Sequence, residues 1–342
     1  MNKHRNISVL PQGHCVPESS LIERAVARFA LRKFAAPPVP EQLTVAVPRR
    51  RDAPILAQPA PPAPVLARPA QIAEPLLGER SASGPQPAIF AAVRHPVARR
   101  HLRDQGMILP EGSVTALLEE FRIIKRHLLL QAAELRRFGR EDGRGALGGA
   151  AQRILVCSPL PGDGKTYCAV NLALSMAAEK QGEVLLVDAD FAKPSVLSTL
   201  GLPGGPGLMD AVADASADVA DYVLGTDIPG LWVLPAGNAT NSDSEFLSSP
   251  RMASVLDRLT QGAPQRIVIF DSPPILVASP AAELAKYVGQ ALLIARADRT
   301  GRRALEDAIS LLSACPNIEL LLNATSFSPS GRRFGSYYGH NG

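Results

Sequence analysis

The chain has 342 residues, 46% of them apolar and 20% charged, with a formal charge of +4, a length for one or two domains. Residues 1–110 hold 17 of the 31 prolines and 15 Lys/Arg against 7 Asp/Glu, a net of +8, whereas the remainder holds 21 against 25, a net of −4. The basic balance thus lies outside the folded body, which excludes a basic nucleic-acid-binding core, and 5% aromatic residues supply no stacking platform for single strands.

No apolar run approaches the roughly 18–20 residues of a membrane span, and the N-terminus shows no long apolar stretch of a secretory signal. Cys15, Cys157, Cys168 and Cys315 are too scattered for a zinc site or a disulfide framework and read as reduced thiols in a cytosolic protein. Within residues 1–34, Ser20-Leu21-Ile22-Glu23 has capping-box spacing and opens a short amphipathic helix with Ala25, Val26, Phe29 and Ala30 on one face. It is a weakly packed helix, a docking element or, last, a membrane-surface helix, which Arg24, Arg28, Arg32 and Lys33 would allow. Residues 35–110, with APPVP, AQPAPPAPVLARPA and SASGPQP, read as a disordered, partly polyproline-like linker.

Order is expected from residue 111 to 324. Residues 114–137 have helical spacing through Leu117, Leu118, Phe121, Ile124 and Leu128, and GREDGRGALGG then breaks the chain. Apolar strands follow at 153–157, 183–187, 231–234, 266–270, 291–295 and 319–322, alternating with helices at 166–179, 245–259 and 302–314. Continuous apolar strands between helices predict an α/β fold with a mostly parallel sheet covered on both faces.

The chemistry begins at Ser158-Pro159-Leu160-Pro161-Gly162-Asp163-Gly164-Lys165-Thr166, which leaves a strand and opens a helix, the setting of a phosphate-binding loop. Its glycines let backbone N–H groups turn inward, and the helix N-terminus adds partial positive charge. Lys165 would reach the β- and γ-phosphates and the Thr166 hydroxyl would ligate Mg²⁺. Pro159 stands where the strict pattern has glycine. Two apolar strands end in acids, at Asp188-Ala189-Asp190 and at Asp271-Ser272-Pro273-Pro274. Parallel strands share their carboxyl edge, so all three aspartates should converge on the loop, with a metal ion between them and a triphosphate.

Loop, apolar-DxD and apolar-DxPP together resemble the Walker A, A′ and B motifs of the bacterial tyrosine kinases, P-loop proteins of exopolysaccharide and capsule production. Leu234-Pro235-Ala236-Gly237, Glu245-Phe246-Leu247-Ser248-Ser249 and Arg251-Met252 extend the resemblance over residues 112–342. The SLIE segment and proline-rich linker look like those of the autokinase of exosortase/PEP-CTERM exopolysaccharide loci. The resemblance implies a P-loop NTPase-type fold and ATP-dependent tyrosine autophosphorylation. It assigns nucleotide binding to Pro161, Gly162, Asp163, Gly164, Lys165, Thr166 and Tyr167, and catalysis to Lys165, Asp188, Asp190 and Asp271. Asp188 would be the base, and Thr166, Asp190 and Asp271 would hold Mg²⁺. Ala192 stands where the family has an arginine, with Lys193 next to it. Asn323 is a candidate adenine contact.

The resemblance further implies a ring-forming helix element, here Glu119, Arg122 and Lys125. It implies a flexible tail, residues 325–342, whose Tyr337 and Tyr338 accept phosphate in a neighbour's site. It also implies a transmembrane chain-length or co-polymerase partner that activates a cytoplasmic kinase at the inner membrane. Two other readings stay open: a MinD/ParA-like ATPase switch, against which Leu160 stands where those proteins carry a second lysine, and a nucleotide-binding scaffold without catalysis.

Overall fold

The computed structural model describes residues 86–325 apart from 91–92, 142–148, 180–181 and 239–242. The SLIE helix, most of the proline-rich segment, the break after residue 141 and the tyrosine tail lie outside the described residues. Those described fall within one compact unit, Leu77–Gly342.

The sheet is built from β1 (Arg94–His95), β2 (Arg153–Cys157), β3 (Glu183–Asp188), β4 (Leu224–Thr226), β5 (Leu231–Leu234), β6 (Arg266–Asp271), β7 (Gln290–Arg296) and β8 (Ile318–Asn323). Its order is β1-β4-β5-β3-β6-β2-β7-β8. Every pairing is parallel except β4 with β5. The helices are α1 (Arg99–Asp104), α2 (Ala116–Glu141), α3 (Lys165–Ala177), α4 (Val196–Leu200), α5 (Leu208–Ala213), α6 (Asp243–Leu247), α7 (Pro250–Thr260), α8 (Pro280–Leu284) and α9 (Arg302–Leu311). This is the mostly parallel α/β architecture expected of a P-loop NTPase-type fold.

The strands are apolar throughout because both faces are covered. Side chains alternate across the sheet. Leu155, Val268 and Phe270 join α5, α7, α8 and α9 on one face, and Ile154, Val156, Ile267 and Ile269 join α1, α2, α3 and α4 on the other. The expected 245–259 helix is instead two, α6 and α7. Pro250 starts a new helix at its first position, and the Ser249 hydroxyl caps it by accepting from the Met252 N–H.

The expected disordered linker over 35–110 needs correction at its C-terminal end. Ala88, Phe90, Val97, Leu102, Met107 and Ile108 are buried, and β1 extends the sheet beside β4. The strap wraps the body and is held by specific bonds: Arg266 Nη2 donates to the Ala88 carbonyl at 3.0 Å, and the Ile108 N–H donates to Asn171 Oδ1 at 2.8 Å. Folded structure therefore begins well before residue 111.

Candidate active site

The loop between β2 and α3 turns on Gly162 and Gly164, whose φ angles are +81° and +98°, a region that glycine enters without steric cost. Gly164 lies at the N-cap of α3 and brings no side-chain cap, so the first N–H groups of the helix stay open to an anion. The loop rests on the segment after β6, where Ile275 and Leu276 donate backbone hydrogen bonds to the Ser158 and Pro159 carbonyls.

Strand register brings the acids together. Asp188 and Asp271 are direct partners across β3 and β6. Lys165 Nζ lies 2.8 Å from Asp190 Oδ2, and Thr166 Oγ1 donates to Asp271 Oδ2 at 2.7 Å. All five positions of the expected constellation therefore meet at one edge.

The three carboxylates differ in their surroundings. Asp188 is fully buried, with Oδ1 accepting the Asp190 N–H at 3.2 Å and Oδ2 the Ser195 and Val196 N–H groups at 2.9 and 3.0 Å. Burial raises its carboxyl above the ordinary range, against those backbone donors. Asp271 is also fully buried. Burial pushes it up to about 7, against the opposing pull of Lys165 and the Thr166 hydroxyl. Its Oδ1 has no hydrogen-bond partner, a costly condition for a buried carboxylate oxygen. Ser195, which carried no sequence signal, sits with its hydroxyl 3.3 Å from Thr166 Oγ1.

The remaining candidates separate. The Tyr167 hydroxyl donates to the Gly106 carbonyl at 2.9 Å, so its side chain serves the strap. Asn323 uses its amide on the loop rather than leaving it for a base: Nδ2 donates to the Asp163 carbonyl at 2.9 Å and Oδ1 accepts from the Ala324 N–H. Ala192 and Lys193 are exposed. Tyr337 and Tyr338 lie outside the described residues.

The expected ring element is corrected at one position. Glu119 and Arg122 pair with each other on α2. Lys125 is 3% exposed, paired with Glu179 and donating to the Ser175 carbonyl at 3.2 Å. It ties α2 to α3 and is not available to a neighbouring subunit. The reason is helical geometry: each step of three residues falls about 60° short of a full turn, so two steps carry Lys125 about 120° from Glu119, onto the packed side.

No family model matches the chain. The putative tyrosine-protein kinase EpsB of Ralstonia nicotianae is 31% identical over 189 residues, 54% of this chain and 24% of EpsB. The tyrosine-protein kinase YwqD of Bacillus subtilis is 29% identical over 188 residues, 54% of this chain and 77% of YwqD. The chain thus spans about a quarter of EpsB. Among solved structures, the chimerical protein CapA2B2 superposes with a TM-score of 0.50 at 23% identity, covering 67% of this chain and all of that one, a likeness of fold.

Proposed function

We propose that the chain is a bacterial tyrosine kinase, a reading supported by its similarity to EpsB and YwqD, and that it transfers the γ-phosphoryl group of ATP to tyrosine. The observation that carries this reading is the meeting of Lys165, Thr166, Asp188, Asp190 and Asp271 at the open N-terminus of α3. Among the described residues no group of three or more His, Cys, Asp or Glu is placed to hold an ion unaided. The unpartnered Oδ1 of Asp271 beside the Thr166 hydroxyl suits Mg²⁺ that takes its other ligands from phosphate and water. Thr166, Asp190 and Asp271 would hold it, and it would offset the charge of the phosphates when bound.

In this reading Lys165 exchanges Asp190 for the β- and γ-phosphates and stabilises charge on the transferring group. Asp188, made more basic by burial, accepts the tyrosine proton. The acceptors are Tyr337 and Tyr338, delivered from a neighbouring copy, with Glu119 and Arg122 at the contact between copies. Each phosphate adds about −1.5 to −2 charge and drives the tail away from the three aspartates, so assembly and release alternate.

No helix among the described residues is long and apolar enough to cross a membrane. A separate transmembrane polysaccharide co-polymerase, met by the basic N-terminal region at the inner membrane, would supply activation, and exopolysaccharide export would be the regulated process. An ATPase switch is disfavoured by Leu160, which has no charge to reach across a dimer.

The test is incubation of the full chain with MgATP and mapping of phosphotyrosine by mass spectrometry. Phosphate at Tyr337 or Tyr338, absent in Lys165→Met, is the expected result; phosphotyrosine persisting in Lys165→Met overturns the reading.

A further inference from the structure

The five residues above account for charge at the site but not for the shape of the loop. Strands β7 and β8 end side by side, with Arg296 and Asn323 as register partners. Both reach the phosphate loop. Arg296 Nη1 donates to the Gly162 carbonyl at 3.1 Å, and Asn323 Nδ2 donates to the Asp163 carbonyl at 2.9 Å. The Ala324 N–H holds Asn323 Oδ1 at 2.8 Å, which fixes the amide with its donor side toward the loop. From within the loop, the fully buried Asp163 side chain accepts the Leu160 N–H at 3.2 Å.

A peptide group is planar and trans, so its carbonyl and the N–H of the next residue point in opposite directions. Drawing the Gly162 carbonyl out toward Arg296 turns the Asp163 N–H inward. Drawing the Asp163 carbonyl out toward Asn323 turns the Gly164 N–H inward. The approach is close: a Cβ on Gly164 would lie 2.2 Å from Asn323 Nδ2, so glycine is needed there for space as well as for its φ of +98°.

We propose that Arg296 and Asn323 are positioning residues of the phosphate loop, acting through its carbonyls to aim the Asp163 and Gly164 N–H groups at a diphosphate. This rests on reading the loop as a nucleotide site, and the test separates the two. On the full chain, ADP binding with magnesium is measured by calorimetry, and amide hydrogen exchange of residues 160–166 is measured without nucleotide.

Arg296→Ala and Asn323→Ala should each weaken ADP binding about two- to tenfold, the worth of one such hydrogen bond. Each should also speed exchange of the loop amides while leaving β2 protected. Arg296→Lys should recover most of both. Arg302→Ala, the same loss of charge at a site 85% exposed and paired with Glu306, should change neither. Weaker ADP binding with unaltered loop exchange would make the two residues direct nucleotide contacts and overturn the proposal. Unaltered exchange and unaltered affinity would overturn it as well. If the unmodified chain bound no ADP, the nucleotide reading would fail, and the exchange measurement would still decide whether the clamp exists.

Discussion

Strands β3 and β6 carry a charged register pair at each end, and the two pairs have opposite character. At the amino end Glu183 faces Arg266; at the carboxyl end Asp188 faces Asp271. Arg266 is well partnered: it meets Glu183 at 2.8 Å, the Leu259 and Ala88 carbonyls at 2.9 and 3.0 Å, and the Phe90 ring at 4.0 Å. Asp271 keeps an oxygen with no partner, beside a second buried carboxylate. A buried cation paired with a carboxylate and two carbonyls holds a fold together, whereas a buried carboxylate oxygen with no partner, beside a second buried carboxylate, adds cost rather than stability. The comparison assigns stability to one end of the same two strands and leaves the other for the chemistry proposed above.

The largest effect is expected from removing the strap, whose Ala88 and Phe90 meet Arg266 at the amino end. A chain starting at residue 112 lacks Phe90, Val97, Leu102, Met107 and Ile108, all buried. Each buried side chain of this kind contributes about 1.5–3 kcal/mol, so the sum rivals a whole domain's stability of about 5–15 kcal/mol. That chain should be unfolded by circular dichroism, and a cooperative melt close to that of a chain starting at residue 86 would break the comparison.

Next is Asp271→Asn, which should lower phosphotyrosine formation by about 10²–10³-fold and yet raise the melting temperature of the nucleotide-free protein. Burial raises the carboxyl from 3.8 to about 7. Between those values the folded chain keeps a proton that the unfolded chain has released, so stability falls as pH rises through this window. The gain from Asp271→Asn should therefore be larger at pH 8 than at pH 5. An equal gain at both would contradict the assignment of cost to the buried charge.

Arg266→Met should show the reverse pattern, losing about 2–4 kcal/mol in urea unfolding with MgATP affinity unchanged. Lys125→Met comes below it, at about 1–3 kcal/mol, because Lys125 ties α2 to α3. Arg122→Ala is smallest, within about 0.5 kcal/mol, since its pair with Glu119 is partly exposed. If Arg122→Ala instead cost more than Lys125→Met, the assignment of these two cations would be reversed.

The carboxyl end was the legible one. A phosphate loop and two acid-terminated apolar strands are local patterns, and the shared edge of a parallel sheet makes their convergence a matter of topology. The six strands expected over 153–322 all form, within a residue or so at their ends. What escaped depends on distant contacts. The strap over 86–110 has Pro-rich neighbours, and its apolar residues are buried by the body without any helical or strand period of their own. The two-residue β1 and three-residue β4 are too short to show alternation. Lys125 looked like a surface cation because its three-residue spacing from Arg122 hid the cumulative rotation around α2. The roles of Arg296 and Asn323 needed the register of β7 and β8, which no motif states.

The most direct test of the central claim is calorimetric titration of the full chain with ATP, with and without magnesium. Saturable one-to-one binding that tightens with magnesium and vanishes in Lys165→Met is the outcome the site predicts. No magnesium-dependent binding by well-folded protein, or equal binding by Lys165→Met, would contradict it.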